Sequence, residues 1–191
     1  MVMRFARPRW NARAFALTIV ATALVQMSPS SPALAAAPSS ESLVTAAVAR
    51  AKAEGKAVLV EFGASWCVWC RRFEAFVNAP ASGDIVRKQF VIVNLTVQER
   101  DDKKALENPG ADRAMAQWGG KGAGLPFYVL LDSDGKKIAD SNAMPNGTNV
   151  GFPGNPEEVA AFVGMIGKAA PNLSRADRQK LSDVLTDGLK K

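Results

Sequence analysis

Apolar positions along this chain change their spacing several times, and each change marks an element. In "SSESLVTAAVARAKAEG" Leu43, Val44, Ala47, Val48 and Ala51 recur at helical spacing, serines stand at the start and Gly55 follows as a stop, which predicts a helix. "AVLVEF" (57–62) is a continuous apolar run broken by one glutamate, the pattern of a strand buried on both faces. "CVWCRRFEAFVN" returns to the helical period, with Phe73, Phe76 and Val77 facing inward and an end before Pro80. A short helical turn at "GDIVRKQ" leads into a second strand, "FVIVNLTV" (90–97).

The second half is more broken. "QERDDKKALENPGAD" reads as a solvated charged loop with one helical turn, "DRAMAQWG" as a short helix and "GKGAG" as a flexible joint. "LPFYVLLDSDGKKIADS" predicts a hairpin whose turn is Asp132-Ser133-Asp134-Gly135. The irregular "NAMPNGTNVGFPGN" precedes an amphipathic helix, "PEEVAAFVGMIGKAA", with Asn155 placed to cap it and Pro156 near its first turn. A last helix, "SRADRQKLSDVLTDGL", has Ser174 as its cap and Leu181, Val184, Leu185 and Leu189 on one face. The order α–β–α–β–α–β–β–α–α predicts an α/β fold: a three-layer sandwich around a mixed sheet, parallel strands first and an antiparallel hairpin after them.

Composition changes this picture only at the N-terminus. The 191 residues, 48% hydrophobic and 22% charged, suit one globular domain with additions, and no internal repeat is present. The formal charge of +6 looks like a bid for nucleic acid or an anionic membrane. Four of its cations, Arg4, Arg7, Arg9 and Arg13, precede the apolar run "AFALTIVATALVQM" and an A-x-A pattern at Ala33-Leu34-Ala35. That succession predicts a secretory signal peptide over 1–35, cleaved near Ala35. The run falls short of the roughly 20 residues of a spanning helix; an uncleaved signal anchor is the other reading. Removing the leader leaves 20 basic residues (24 minus four) against 18 acidic ones. No nucleic-acid partner is then expected, and the protein is expected to be periplasmic or otherwise exported. The domain division that follows is 1–35 leader, 36–170 main domain and 171–191 C-terminal helical extension.

Candidate chemistry concentrates in "GASWCVWCRRF", which holds the only two cysteines, Cys67 and Cys70. A redox pair, half a metal site and a short structural staple are the three readings. Tetrahedral zinc needs about four ligands, and the chain has two cysteines and no histidine, so carboxylates or a second protomer would have to complete it. Cysteine-protease chemistry lacks its histidine base, and "GGKGAG" lacks the spacing of a phosphate loop. A staple across so short a loop constrains the unfolded chain little. Redox chemistry fits best. Cys67 lies where a buried strand hands over to a helix, so unpaired N–H groups and the helix dipole favour its thiolate. Cys70 sits one turn on, can close a disulfide with Cys67, and is expected to be the more buried sulfur. Cys67 is then the attacking thiol and Cys70 the resolving one. Arg71 and Arg72 either add positive potential or point into solvent. With Val68 and Trp69 between the cysteines and no imidazolium nearby, a reductant or exchange role is favoured over a strong oxidant.

These residues resemble the thioredoxin superfamily. "VLVEFGASWCVWC" looks like its active-site strand and helix start, "LPFYVLLDSDGK" like the segment in which a cis-proline opens a strand, and "NVGFPGNPEEVAAFV" like its last strand and helix. The likeness runs over Ala57 to Lys168. It implies a protein-disulfide reductase or thiol–disulfide oxidoreductase of the exported bacterial kind, with Cys67 and Cys70 as the catalytic pair and no cofactor. It implies that Glu61 is a buried acid with a raised pKa that accepts the Cys70 proton. It further implies a cis-proline at Pro126, pairing of the Leu125 backbone with an extended substrate, and Trp66 as a recognition surface. Trp69 and Trp118 are taken as packing residues. Implied partners are disulfide-bearing exported proteins and a membrane thiol-reductant donor, with the protein itself a monomer. Departures are the Val68-Trp69 dipeptide in place of Gly-Pro, a longer 98–111 loop, the leader and the last helix. Two other functions stay open: a thioredoxin-fold binding or chaperone module with an inert disulfide, and a reductase dedicated to one partner such as an apocytochrome or a metallochaperone.

Overall fold

The computed structural model describes residues 37–170 and 172–189, so the leader lies outside the described residues. Helix α1 (Ser40–Glu54) starts at Ser39, whose side chain accepts from the Ser42 N–H, and stops at Gly55 in the left-handed conformation. Strand β1 (Ala57–Gly63) follows, then α2 (Val68–Asn78), α3 (Pro80–Gln89) and β2 (Phe90–Thr96). A 3₁₀ turn (Asp101–Leu106), the short helix α4 (Ala111–Met115) and a π-type turn (Ala116–Gly120) lead to β3 (Phe127–Leu131) and β4 (Lys137–Asp140). Helices α5 (Pro156–Ala169) and α6 (Arg175–Gly188) close the described chain, capped by Asn155 and Ser174 as expected.

The sheet order is β2-β1-β3-β4, with β1 parallel to β2 and antiparallel to β3, and β3 antiparallel to β4. Alternation along the two central strands makes two cores. Leu59, Tyr128 and Leu130 face a cluster with Phe73, Phe76, Phe162, Met165 and Ile166, while Val58, Val60, Phe62, Phe127, Val129 and Leu131 face one with Ala47, Ala51 and Met115. Helices cover both faces, so the mixed three-layer sandwich is the observed architecture. Tyr128, Phe73 and Phe162 stack at the centre of the first cluster, with centroids 4.7 and 5.6 Å apart from the tyrosine ring. Leu181 and Leu185 of α6 are buried in that same cluster, so the last helix shares the domain's core.

Three readings change. "GDIVRKQ" is not a lone turn but the last seven residues of a ten-residue helix: Pro80 supplies a preset first turn, and Ile85 and Val86 bury. "NVGFP" is not a strand. Those residues form an irregular segment that returns to the sheet edge through one backbone bond, Val150 N–H to the Ser141 carbonyl at 2.7 Å, because glycines and prolines interrupt any longer ladder. The charged loop is not merely solvated, since Glu99 within it is buried. No helix among the described residues is long and apolar enough to cross a membrane.

Candidate active site

The site is built on the corner between β1 and α2. Cys67 is the N-cap of α2, and its Sγ accepts the Cys70 N–H at 3.1 Å. A sulfur in that position receives one of the helix's unpaired donors and faces the positive end of its dipole, an arrangement that stabilises a thiolate. Cys67 and Cys70 are joined by a disulfide with an Sγ–Sγ distance of 2.08 Å. Both residues are buried, Cys67 at 2% exposed and Cys70 at 8%. Ala64 and Leu125 close over the pair, whereas Cys70 borders an open cleft. The peptide between Leu125 and Pro126 is cis, as the resemblance implies.

That cleft, about 450 Å³, is lined by Glu61, Gly63, Ser65, Cys70, Arg71, Glu74, Asn94, Thr96 and Glu99 among others. Glu61 is 4% exposed and its Oε1 has no hydrogen-bond partner. Desolvation, and then the charge of Glu74, push its pKa from 4.5 up to about 8. Gly63 permits the close approach: a Cβ there would sit 3.3 Å from Cys70 Sγ and 3.6 Å from Glu61 Oε1. The Glu61 carboxyl and the Cys70 sulfur therefore flank the space over Gly63, and both residues line the cleft. Glu74 lies one helical turn beyond Cys70, exposed and, among the described residues, without an ion-pair or hydrogen-bond partner. Tyr128 stands directly across the sheet from Glu61; its hydroxyl is likewise unpartnered, and burial and the Glu61 charge raise its pKa.

A second, wider depression of about 890 Å³ lies on the other side, lined by Trp69, Gly122, Leu125, Asn149, Phe152 and Glu158 among others. Asn149 donates to the carbonyls of Gly124 (2.8 Å) and Pro126 (3.1 Å), bracketing Leu125, whose own backbone is hydrogen-bonded to no described residue. Trp66 is 43% exposed and not core; its indole donates to the Gln98 carbonyl at 2.8 Å. Trp69 is no packing residue either. It is 41% exposed, lines the groove, and carries the Arg72 guanidinium 4.6 Å above its ring. Trp118 does pack, edge-on against Phe62. Arg71 donates to the Ser65 carbonyl at 3.0 Å.

Glu61, Cys67, Cys70, Trp66, Leu125 and Pro126 are thus brought together. Sequence reasoning missed Glu74, Glu99 and Asn149. Only Glu74 left a local signal, four residues after Cys70 on one helix face; the other two reach the site across the fold.

Residues 40–133 match the family model described as thioredoxin-like. Similar solved structures include a disulphide isomerase from Xylella fastidiosa Temecula1, 20% identical, covering 83% of this chain and 95% of that one with a TM-score of 0.46. Another is the oxidised C-terminal domain of DsbD from Neisseria meningitidis, 22% identical, covering 55% and 84% with a TM-score of 0.39. A third is a thioredoxin-fold protein from Helicobacter pylori, 16% identical, covering 71% and 84% with a TM-score of 0.38. No curated protein matches the chain. With a mixed sheet between helices, a Trp66-Cys67-x-x-Cys70 corner and a cis-proline beside it, the chain carries a thioredoxin-like domain over residues 40–133.

Proposed function

We propose that the protein is an exported thiol–disulfide oxidoreductase that reduces or exchanges disulfides in other exported proteins. The observation that carries this reading is the position of Cys67, capping α2 with its sulfur accepting the Cys70 N–H. In the reduced protein the Cys67 thiolate attacks a substrate disulfide; one S–S bond breaks, a mixed disulfide forms, and the first substrate thiolate takes a proton from water. Glu61, as carboxylate, then accepts the Cys70 proton through water. The Cys70 thiolate attacks Cys67 Sγ, closing the internal disulfide and releasing the second substrate thiolate. Two electrons pass from the dithiol to the substrate, so continued reduction requires a thiol donor, which we assign to the membrane. Trp66 and the Leu125–Pro126 backbone form the substrate surface.

A disulfide-reduction assay with dithiothreitol tests the reading: wild type accelerates the reaction and Cys67→Ser does not. Equal rates would end it. The exposed collar of Trp66, Val68 and Trp69 also suits a module that only captures clients. Client capture that persists in the double Cys→Ser protein would favour that alternative. A reductase dedicated to one partner would instead show a single protein trapped by Cys70→Ser.

A further inference from the structure

Ser65, two residues before Cys67, has all its polar groups engaged. Its N–H donates to Glu99 Oε1 at 2.5 Å, its hydroxyl to Glu99 Oε2 at 2.8 Å, and its carbonyl accepts from Arg71. Glu99 is 3% exposed, so both hydrogen bonds are made by a carboxylate withdrawn from solvent, where such bonds are strongest and their loss most felt. Its own N–H donates to Glu107 Oε1 at 2.7 Å, and Glu107 in turn accepts from Lys104, which ties the 98–107 segment down at both ends. The neighbouring Gln98 adopts φ 54, a conformation rare outside glycine, and in doing so turns its carbonyl toward the Trp66 indole. One short segment thus holds Ser65 by a side chain and Trp66 by a backbone.

We propose that Glu99 is a positioning residue for the dithiol reaction: through Ser65 it fixes the corner that aims Trp66 and Cys67 at a protein disulfide. This rests on the oxidoreductase reading above. Glu99 touches no reacting atom, so its removal impairs recognition of a large, oriented substrate more than the intrinsic reactivity of the Cys67 sulfur.

The test uses the reduced protein at one fixed pH. Glu99→Ala is expected to lower kcat/KM for a protein disulfide about tenfold, mainly through KM. Alkylation of Cys67 by iodoacetamide stays within about twofold, since that small electrophile needs no aimed corner. Glu99→Gln, which keeps an acceptor for the Ser65 N–H, recovers most of the loss, and Ser65→Ala falls between. If Glu99→Ala fails to fold, the Glu99→Gln and Ser65→Ala pair decides by the same ratio. A folded Glu99→Ala with unchanged kcat/KM, or with both rates falling in parallel, overturns the proposal. Should wild type prove inactive on disulfides, the function fails, and hydrogen exchange still reads Glu99: the Ser65 amide loses its protection in Glu99→Ala if the clamp is real and keeps it if not.

Discussion

The two sides of the Cys67–Cys70 bridge are built from opposite materials. One is a narrow cleft carrying the carboxylates Glu61, Glu74 and Glu99, with Arg71 in its lining and Lys103 reaching Ser65 Oγ at 3.4 Å. The other is a broad groove of glycines, amides and the Trp69 ring, with one cation and one carboxylate, Lys121 and Glu158, and the bracketed backbone of Leu125. Buried carboxylates without cations are poor packing material, and Glu61 destabilises the fold by being where it is. Backbone and amide surfaces are poor proton carriers but good partners for an extended chain. On the proposed reaction the contrast is a division of labour, with protons carried on the acidic side and polypeptide bound on the other.

Substitutions can break that division. The largest effect belongs to the bridge itself, because Cys67→Ser removes the nucleophile and should abolish turnover in the dithiothreitol assay. Next is Glu61→Gln, expected to slow resolution of the mixed disulfide by about 10- to 100-fold near neutral pH, measured by quenched-flow trapping. With wild type, the resolution rate should rise with pH through about 8, as Glu61 becomes a base, and that limb should vanish in Glu61→Gln.

The same residue makes a stability prediction with a defined sign. Its folded pKa, about 8, lies above the unfolded value of 4.5, so the folded state holds the proton more tightly. Stability is therefore fully present below pH 4.5 and is lost as pH rises to 8. At about 1.4 kcal/mol per unit of separation the loss is on the order of 5 kcal/mol, read from urea titrations across that range. Glu61→Gln should flatten it.

Smaller effects separate the two sides. Asn149→Ala frees the carbonyls flanking Leu125 and should raise KM for protein disulfides by about threefold while leaving the pH limb where it is. Glu74→Gln should do the reverse. Removing that charge lowers the Glu61 pKa and moves the limb toward acid by about half a pH unit, less at high salt, with KM unchanged. If Asn149→Ala moves the limb, or Glu74→Gln moves KM, the two sides are not separate.

Much of this was legible along the chain, for reasons that are local. Caps at Ser39, Asn155 and Ser174, the Asp132–Gly135 turn and the all-buried run of β1 each depend on a few consecutive residues. So does the Cys67 cap, which needs only a strand followed at once by a helix. The cis-proline and the buried acid were implied by the resemblance rather than by spacing. What escaped was long-range. Nothing near Glu99 says that its side chain reaches back to Ser65, 34 positions earlier. Nothing near Trp69 says that its face of α2 meets a groove instead of core. Nor does anything near the cysteines say that Leu125, from a distant loop, packs against their cluster.

The central claim, that Cys67 attacks and Cys70 resolves, is tested most directly by mass spectrometry of single-cysteine proteins mixed with a disulfide-bearing protein. The account predicts that Cys70→Ser accumulates a mixed disulfide at Cys67, while Cys67→Ser accumulates little or none at Cys70. Adducts of equal yield at either cysteine, or none in Cys70→Ser, would contradict it.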